Sequence, residues 1–215
     1  VGSFDHMSAI STLDDSVASE AFLRLAAASD QFERYANSHA VRIATIADEV
    51  AKLLHIGTED RKALRVAALL HDLGETAMER EYISRPEVLT EEERIDLTRH
   101  PVIGEQEASR AGASRAAQLL IRWHHEWWNG FGYPDALSGE EIPLAARILR
   151  LADSYASLTD ARPFRAALTV TEARERLIQW AGIEFDPRLV SLFLTLDQRQ
   201  ELESFAENAK ATAAK

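Results

Sequence analysis

Apolar residues recur every three or four positions through most of this chain, and no stretch alternates with the period of two that marks a strand. The pattern predicts helices almost throughout. The segment from about Asp14 to Ala28 carries Phe22, Leu23 and Leu25. A second helix is expected from Tyr35 to Leu54, with Val41, Ile43, Ile46, Ala47 and Val50 on its apolar stripe and His39 on the flank of that stripe. Gly57 is expected to end it and Thr58 to cap the next, which runs through Leu64, Ala67 and Leu70 into His71-Asp72, with Gly74 as its stop. From Glu75 to Leu89 the chain is polar and irregular, broken by Pro86. Thr90 followed three residues later by Glu93 is a capping-box signature. His100 precedes Pro101, which biases it out of the helical region. Further helices are expected from Ser114 to about Trp127, from Pro143 through Ile148, Leu151, Ala152 and Tyr155 to Leu158, and, shorter, from Thr171 and from Pro187. The fold class is all-α, a bundle with helical extensions at both ends. Residues 1–7 read as a cloning remnant, 8–29 as a helix or linker, 30–197 as one domain and 198–215 as a polar, alanine-rich tail.

With 215 residues, 46% hydrophobic and 27% charged, the chain has the composition of a globular protein with one sizeable core. It has no apolar run long enough to span a membrane and no visible export signal, so a cytoplasmic location is expected. It has no cysteine, which excludes disulfides and thiolate metal sites. The net charge of -11 argues against a nucleic-acid polymer as partner. An anionic ligand would need local positive charge from metals or arginine.

Chemistry concentrates in a few places. His124-His125-Glu126 runs into a glycine-punctuated aromatic loop, Trp127-Trp128-Asn129-Gly130-Phe131-Gly132-Tyr133-Pro134. His71-Asp72 forms a second cluster, and His39, His100 and Asp153 stand singly. Five imidazoles and two carboxylates suffice for a two-metal site of borderline softness, such as Fe, Mn, Zn or Ni. The adjacent histidines diverge by about 100° on a helix, so both reach one centre only from its edge. Asp153 sits among apolar residues of its helix, where a carboxylate is costly unless metal-bound or paired with an arginine.

These motifs, taken in order, resemble the HD-GYP domains, a subgroup of the HD phosphohydrolase superfamily. The matching stretches are His71-Asp72-Leu73-Gly74-Glu75, His100-Pro101, His124-His125-Glu126, Gly130-Phe131-Gly132-Tyr133-Pro134, Ile142-Pro143-Leu144-Ala145-Ala146-Arg147-Ile148, Ala152-Asp153, Arg162-Pro163-Phe164-Arg165 and Phe185-Asp186-Pro187. The resemblance covers about Asp30 to Leu196. It implies a helical bundle around a di- or trinuclear centre, usually of iron or manganese. It implies hydrolysis of cyclic di-GMP to linear pGpG or GMP, and a diguanylate cyclase domain or a second copy of the chain as possible partners. By position it implies one metal on His39, His71, Asp72 and Asp153, with Asp72 bridging to a second on His100, His124 and His125. It assigns ligand phosphates to Arg162 and Arg165, places Tyr133 at the ligand or its loop, and leaves Glu126 to orient an imidazole.

The chain departs from the family pattern at several points. Glu75 stands where the family has a lysine that serves the phosphate. Phe164 replaces a tyrosine and Asn129 an aspartate. Tyr35 stands where trinuclear members place a glutamate, so two metals are expected. Glu75 leaves two alternatives open: a catalytically weak protein that binds a cyclic dinucleotide or a signalling partner, and a hydrolase of another nucleotide.

Overall fold

A computed structural model describes residues 20–162 and 165–196. The expectations for residues 1–7 and 198–215, and for most of 8–29, lie outside the described residues, as does Phe164. Ten α-helices and two short 3-10 turns account for about two thirds of the described residues: α1 (20–32), α2 (His39–Leu53), α3 (Thr58–Leu70), α4 (Leu73–Met78), a 3-10 turn (Glu81–Ser84), α5 (Glu91–Leu97), α6 (His100–Arg110), α7 (Arg115–Trp123), a second 3-10 turn (Gly139–Glu141), α8 (Leu144–Thr159), α9 (Val170–Gln179) and α10 (187–196). Among the described residues there is no strand, only the isolated bridges Arg162 to Arg165 and Ala181 to Phe185. The expected all-α bundle is what forms.

The apolar stripes read from the sequence converge. Ile43, Ala47 and Val50 of α2 join Leu64, Ala67 and Leu70 of α3, Ile121 of α7, and Ile148, Leu149 and Leu151 of α8 in one core. Helix α8 is the central element and packs on α2, α3, α7 and α9. No helix among the described residues is long and apolar enough to cross a membrane.

Several boundaries move for identifiable reasons. Helix α2 starts at His39, not Tyr35: Arg34 has a positive φ and the chain turns there, leaving Tyr35 in the connection from α1. Helix α2 ends at Leu53, and His55, also at positive φ, turns the chain before Gly57. Thr58 is already helical, with Gly57 in the N-cap position. The Thr90–Glu93 capping box forms as expected, and an equivalent box at Thr169 and Glu172 starts α9 one residue before Thr171. Between Glu75 and Leu89, expected to be irregular, the chain makes the end of α4 and a 3-10 turn. His100, expected outside the helical region, opens α6, with Pro101 in its first turn where no backbone donor is needed.

Gly74 is a further correction. It does not end α3, which stops at Leu70; it lies inside α4, buried against α6. A Cβ there would lie 2.0 Å from the His100 carbonyl oxygen and 2.7 Å from the Gly104 nitrogen. The glycine is therefore a close-approach residue. It lets the backbones of α4 and α6 touch, and so brings Asp72, at the head of α4, next to His100, at the head of α6.

Candidate metal centre

Three of the five imidazoles are set by helix ends. His71 follows the last residue of α3, His124 follows the last residue of α7, and His100 lies three residues beyond the end of α5. The last carbonyls of a helix have no intrahelical donor. Each of these histidines fills one with its Nδ1: His71 to Ala68 O at 3.0 Å, His100 to Leu97 O at 2.8 Å, His124 to Ile121 O at 2.6 Å. A carbonyl only accepts, so Nδ1 carries the proton and Nε2 is left with its lone pair. The negative ends of α3, α5 and α7 thus gather round one point, a placement that favours a cation. His39 is oriented differently, with Nδ1 2.7 Å from Asp160 Oδ2; Arg42 holds the same carboxylate.

The free Nε2 atoms face carboxylates. Asp72, His100, His124 and His125 form one group whose donor atoms lie within 4.8 Å of one another, and His39, His71 and Asp153 form a second. Asp72 Oδ1 is 3.4 Å from His100 Nε2 and 3.7 Å from His124 Nε2, whereas its Oδ2 is 2.8 Å from His71 Nε2. One carboxylate thus serves both groups. Asp153 Oδ1 lies 3.9 Å from His39 Nε2 and 3.8 Å from His71 Nε2. His39 Nε2 is buried without a hydrogen bond, and the one close partner of buried His71 Nε2 is the Asp72 carboxylate. Lone pairs facing carboxylate oxygens in a buried site are costly unless a cation lies between them. The donor set, imidazole nitrogen with carboxylate oxygen, is that of a divalent transition metal. The residues therefore fit such ions.

The electrostatics agree. Burial opposes ionisation of Asp72, yet the His71, His124 and His100 imidazoles beside it hold its carboxyl well below the usual range. Burial alone would lower His71, but Asp72 and Asp153 outweigh it and push the imidazole up to about 10, so positive charge is favoured at that point. His125 is driven the other way, well below its ordinary value, by burial, then His124 and Arg150, so its imidazole is neutral.

A cavity of about 440 Å3 opens over the two groups. Its wall includes Glu33, Glu75, Arg150, Arg162 and Glu184 with Asp72, His125 and Asp153. Glu75 comes within 4.8 Å of Asp72 and Glu33, donor atom to donor atom. Burial, then the Asp72 charge, push the Glu75 carboxyl well above the ordinary carboxylate range. Tyr35 does not lie one helical turn before His39 but stacks on its ring, centroids 3.7 Å apart. The same connection carries Glu33, a carboxylate that sequence reasoning missed because it is far from every motif. Arg162 spans both, donating to Glu33 Oε2 at 2.9 Å and to the Tyr35 hydroxyl, with its guanidinium 4.0 Å over the Tyr35 ring.

Other expected residues fall into different places. Arg165 is exposed and donates to the Ser157 carbonyl; it does not line the cavity. Tyr133 stacks on His125, centroids 4.9 Å apart, and so buttresses an imidazole. Glu126, expected to orient an imidazole, does not. Its carboxylate accepts the backbone N–H groups of Asp135 at 2.7 Å and Leu137 at 3.0 Å, which ties down the aromatic loop. Gly132 has a steric reason: a Cβ would lie 2.2 Å from the Trp127 nitrogen and 2.5 Å from the His125 carbonyl oxygen. Arg150 and Glu184 were also missed. The one signal for Arg150 was its place three residues before Asp153 on a single helix.

Comparison with known proteins agrees with this geometry. The profile of the HD domain family matches residues 20–189. The cyclic di-GMP phosphodiesterase response regulator RpfG of Xanthomonas campestris is 36% identical over 177 residues, 81% of this chain and 47% of that protein. The 3'3'-cGAMP-specific phosphodiesterase 2 of Vibrio cholerae is 29% identical over 177 residues, 81% of this chain and 34% of that one. The chain thus spans less than half the length of these relatives. Among solved structures, a cyclic GMP-AMP specific phosphodiesterase of V. cholerae (V-cGAP3) superposes with a TM-score of 0.69 at 23% identity, over 86% of this chain and 50% of the other. The chain belongs to the HD domain family, and within it to the HD-GYP subgroup.

Proposed function

We propose that this chain is a metal-dependent phosphodiesterase that hydrolyses cyclic di-GMP to linear pGpG or GMP. The observation that carries the reading is the pair of donor groups at one cavity, with Asp72 a member of the first and 2.8 Å from His71 of the second. His39, His71, Asp72 and Asp153 would hold one divalent ion, and Asp72, His100, His124 and His125 a second, iron or manganese being the expected metals. When bound, two such ions supply Lewis acidity, lowering the pKa of water and withdrawing charge from a phosphate. The chain's own residues do the rest. Asp72 keeps both groups in register, and the Nδ1 hydrogen bonds of His71, His100 and His124 to main-chain carbonyls hold those three imidazoles in the tautomer that leaves Nε2 free to ligate. Arg162 supplies positive charge at the cavity wall for the anionic substrate. Its bond to Glu33 sets a cation among Glu33, Asp72 and Glu75, which supports two metals and not three. Tyr133 and the loop anchored by Glu126 cover His125. Arg165 would reach a phosphate only at the rim.

Two observations favour keeping a second substrate in view. Relatives include enzymes named for cyclic di-GMP and for 3'3'-cGAMP. Glu75 adds negative charge where the family resemblance puts lysine. Steady-state rates on both dinucleotides, with metal content measured on the same sample, test the proposal. Turnover of cyclic di-GMP at full metal load is the expected result. Preferential turnover of the mixed dinucleotide would reassign the substrate, and binding without turnover would make the chain a receptor.

A further inference from the structure

Six carboxylates line the cavity, Glu33, Asp72, Glu75, Glu87, Asp153 and Glu184, against four arginines, Arg85, Arg150, Arg162 and Arg176, so a phosphate entering it depends on which of these cations it can reach. Arg162 is spoken for by Glu33 and Tyr35. Arg85 is paired with Glu93, and Arg176 lies over the Trp180 ring. Arg150 touches a member of each donor group. Its side chain is only 14% exposed. It projects from α8 between the two donor groups. Its Nη1 lies 2.9 Å from His125 Nδ1 and 3.4 Å from Asp153 Oδ2, and its Nη2 donates to Glu184 Oε1. Its Nε is buried and has no hydrogen-bond partner.

An arginine offers five N–H donors, and a buried one normally uses them. Arg150 does not. The acceptor of its shortest bond into the site, His125 Nδ1, has one lone pair, the kind of donor a metal also takes. Asp153 is shared in the same way. Glu184 is the one partner outside both donor groups, and it grips the guanidinium from the far side.

We propose that Arg150 is a substrate-binding residue: anchored by Glu184, it donates from Nη1 to a non-bridging oxygen of the phosphate held between the two donor groups. The assignment rests on the phosphodiesterase reading above. The guanidinium and a metal ion compete for the one lone pair of His125 Nδ1, so two properties should move in opposite directions when the guanidinium is removed. Metal affinity should stay or rise, because a fixed positive charge beside the donors is gone. Phosphate affinity and turnover should fall. Glu184 acts through Arg150 as a positioning residue.

The test uses the full chain loaded with manganese. Arg150→Met should keep its metal content, while its melting temperature should fall because the part-buried Glu184 is left without its cation. Its affinity for inorganic phosphate, read by calorimetry, should fall tenfold or more. Its kcat/KM on cyclic di-GMP should drop about 10²-fold, the usual cost of one preorganised donor at a reacting oxyanion. Arg150→Lys should recover part of both losses. Glu184→Gln should weaken phosphate binding less than Arg150→Met does. Loss of metal in Arg150→Met would overturn the assignment, making Arg150 a support of the metal site. So would unchanged phosphate affinity at full metal load. If Arg150→Met fails to fold, Arg150→Lys and Glu184→Gln carry the same phosphate measurement. Should the wild-type chain hydrolyse no cyclic dinucleotide, the phosphodiesterase reading fails, while phosphate binding still decides the role of Arg150.

Discussion

Single atoms decide much of this site. Asp72 offers one oxygen to each donor group. Asp72→Ala should therefore lose both metals, because it leaves two cations facing each other with no shared anion; elemental analysis showing both metals retained would rule out a bridging role. At Glu75 the change to lysine should raise turnover of cyclic di-GMP at constant metal content, within the 10²–10⁴-fold span typical of general-acid assistance. A fall in metal load in that variant would instead mark Glu75 as a ligand. Gly74 is constrained by space, not by φ. Gly74→Ala drives a methyl into the His100 carbonyl, which should cost about 3 kcal/mol or more and lower the melting temperature accordingly. Sequence reading found the residues that the fold gathers into the two donor groups because the imidazoles and carboxylates recur in an ordered series of motifs. It misread Gly74, because a glycine after a helix looks the same whether it ends that helix or admits a neighbouring one.

Among the elements, one carboxylate ties down the aromatic loop and another adds a polar tie to the apolar packing of α2 on α3. Glu126 is 2% exposed and satisfies two loop amides. Glu126→Ala leaves both without partners, at about 1–3 kcal/mol each. A lower melting temperature and weaker metal binding, through the loss of the Tyr133 stack on His125, are the expected readings. Asp48 on α2 takes a paired hydrogen bond from Arg61 of α3, at 2.8 and 3.0 Å. Partial burial works against its charge, but Arg61 and Lys52 outweigh that and hold its carboxyl below the usual range. A depressed folded pKa stabilises above the ordinary aspartate value of about 3.9 and loses its effect as pH falls through the depressed one. Asp48→Asn should therefore cost about 1–2 kcal/mol near neutral pH, and the gap from wild type should close in acid. Chemical denaturation at two pH values checks this. The apolar periodicity revealed α2 and α3, but not this tie between them, since the arginine that pairs with a carboxylate on another helix is not encoded in its own neighbourhood.

Across the whole molecule, the prediction is one of stoichiometry. Metal analysis of protein purified without chelator should approach two transition ions per chain, since Arg162 already provides the positive charge among the third set of carboxylates. Three well-occupied ions would overturn this. The bundle and most of its helices were legible because period and caps are local signals. Glu33, Arg150 and Glu184 were not, because each enters the cavity from a separate part of the chain and carries no motif of its own. The orientation of the imidazoles has a bearing on heritable change. Three of them lean on main-chain carbonyls, which every substitution leaves in place. The other two, His39 and His125, lean on the side chains of Asp160 and Arg150. Variation during descent can then adjust the centre gradually through positions 160 and 150, while the remaining three histidines admit only presence or loss.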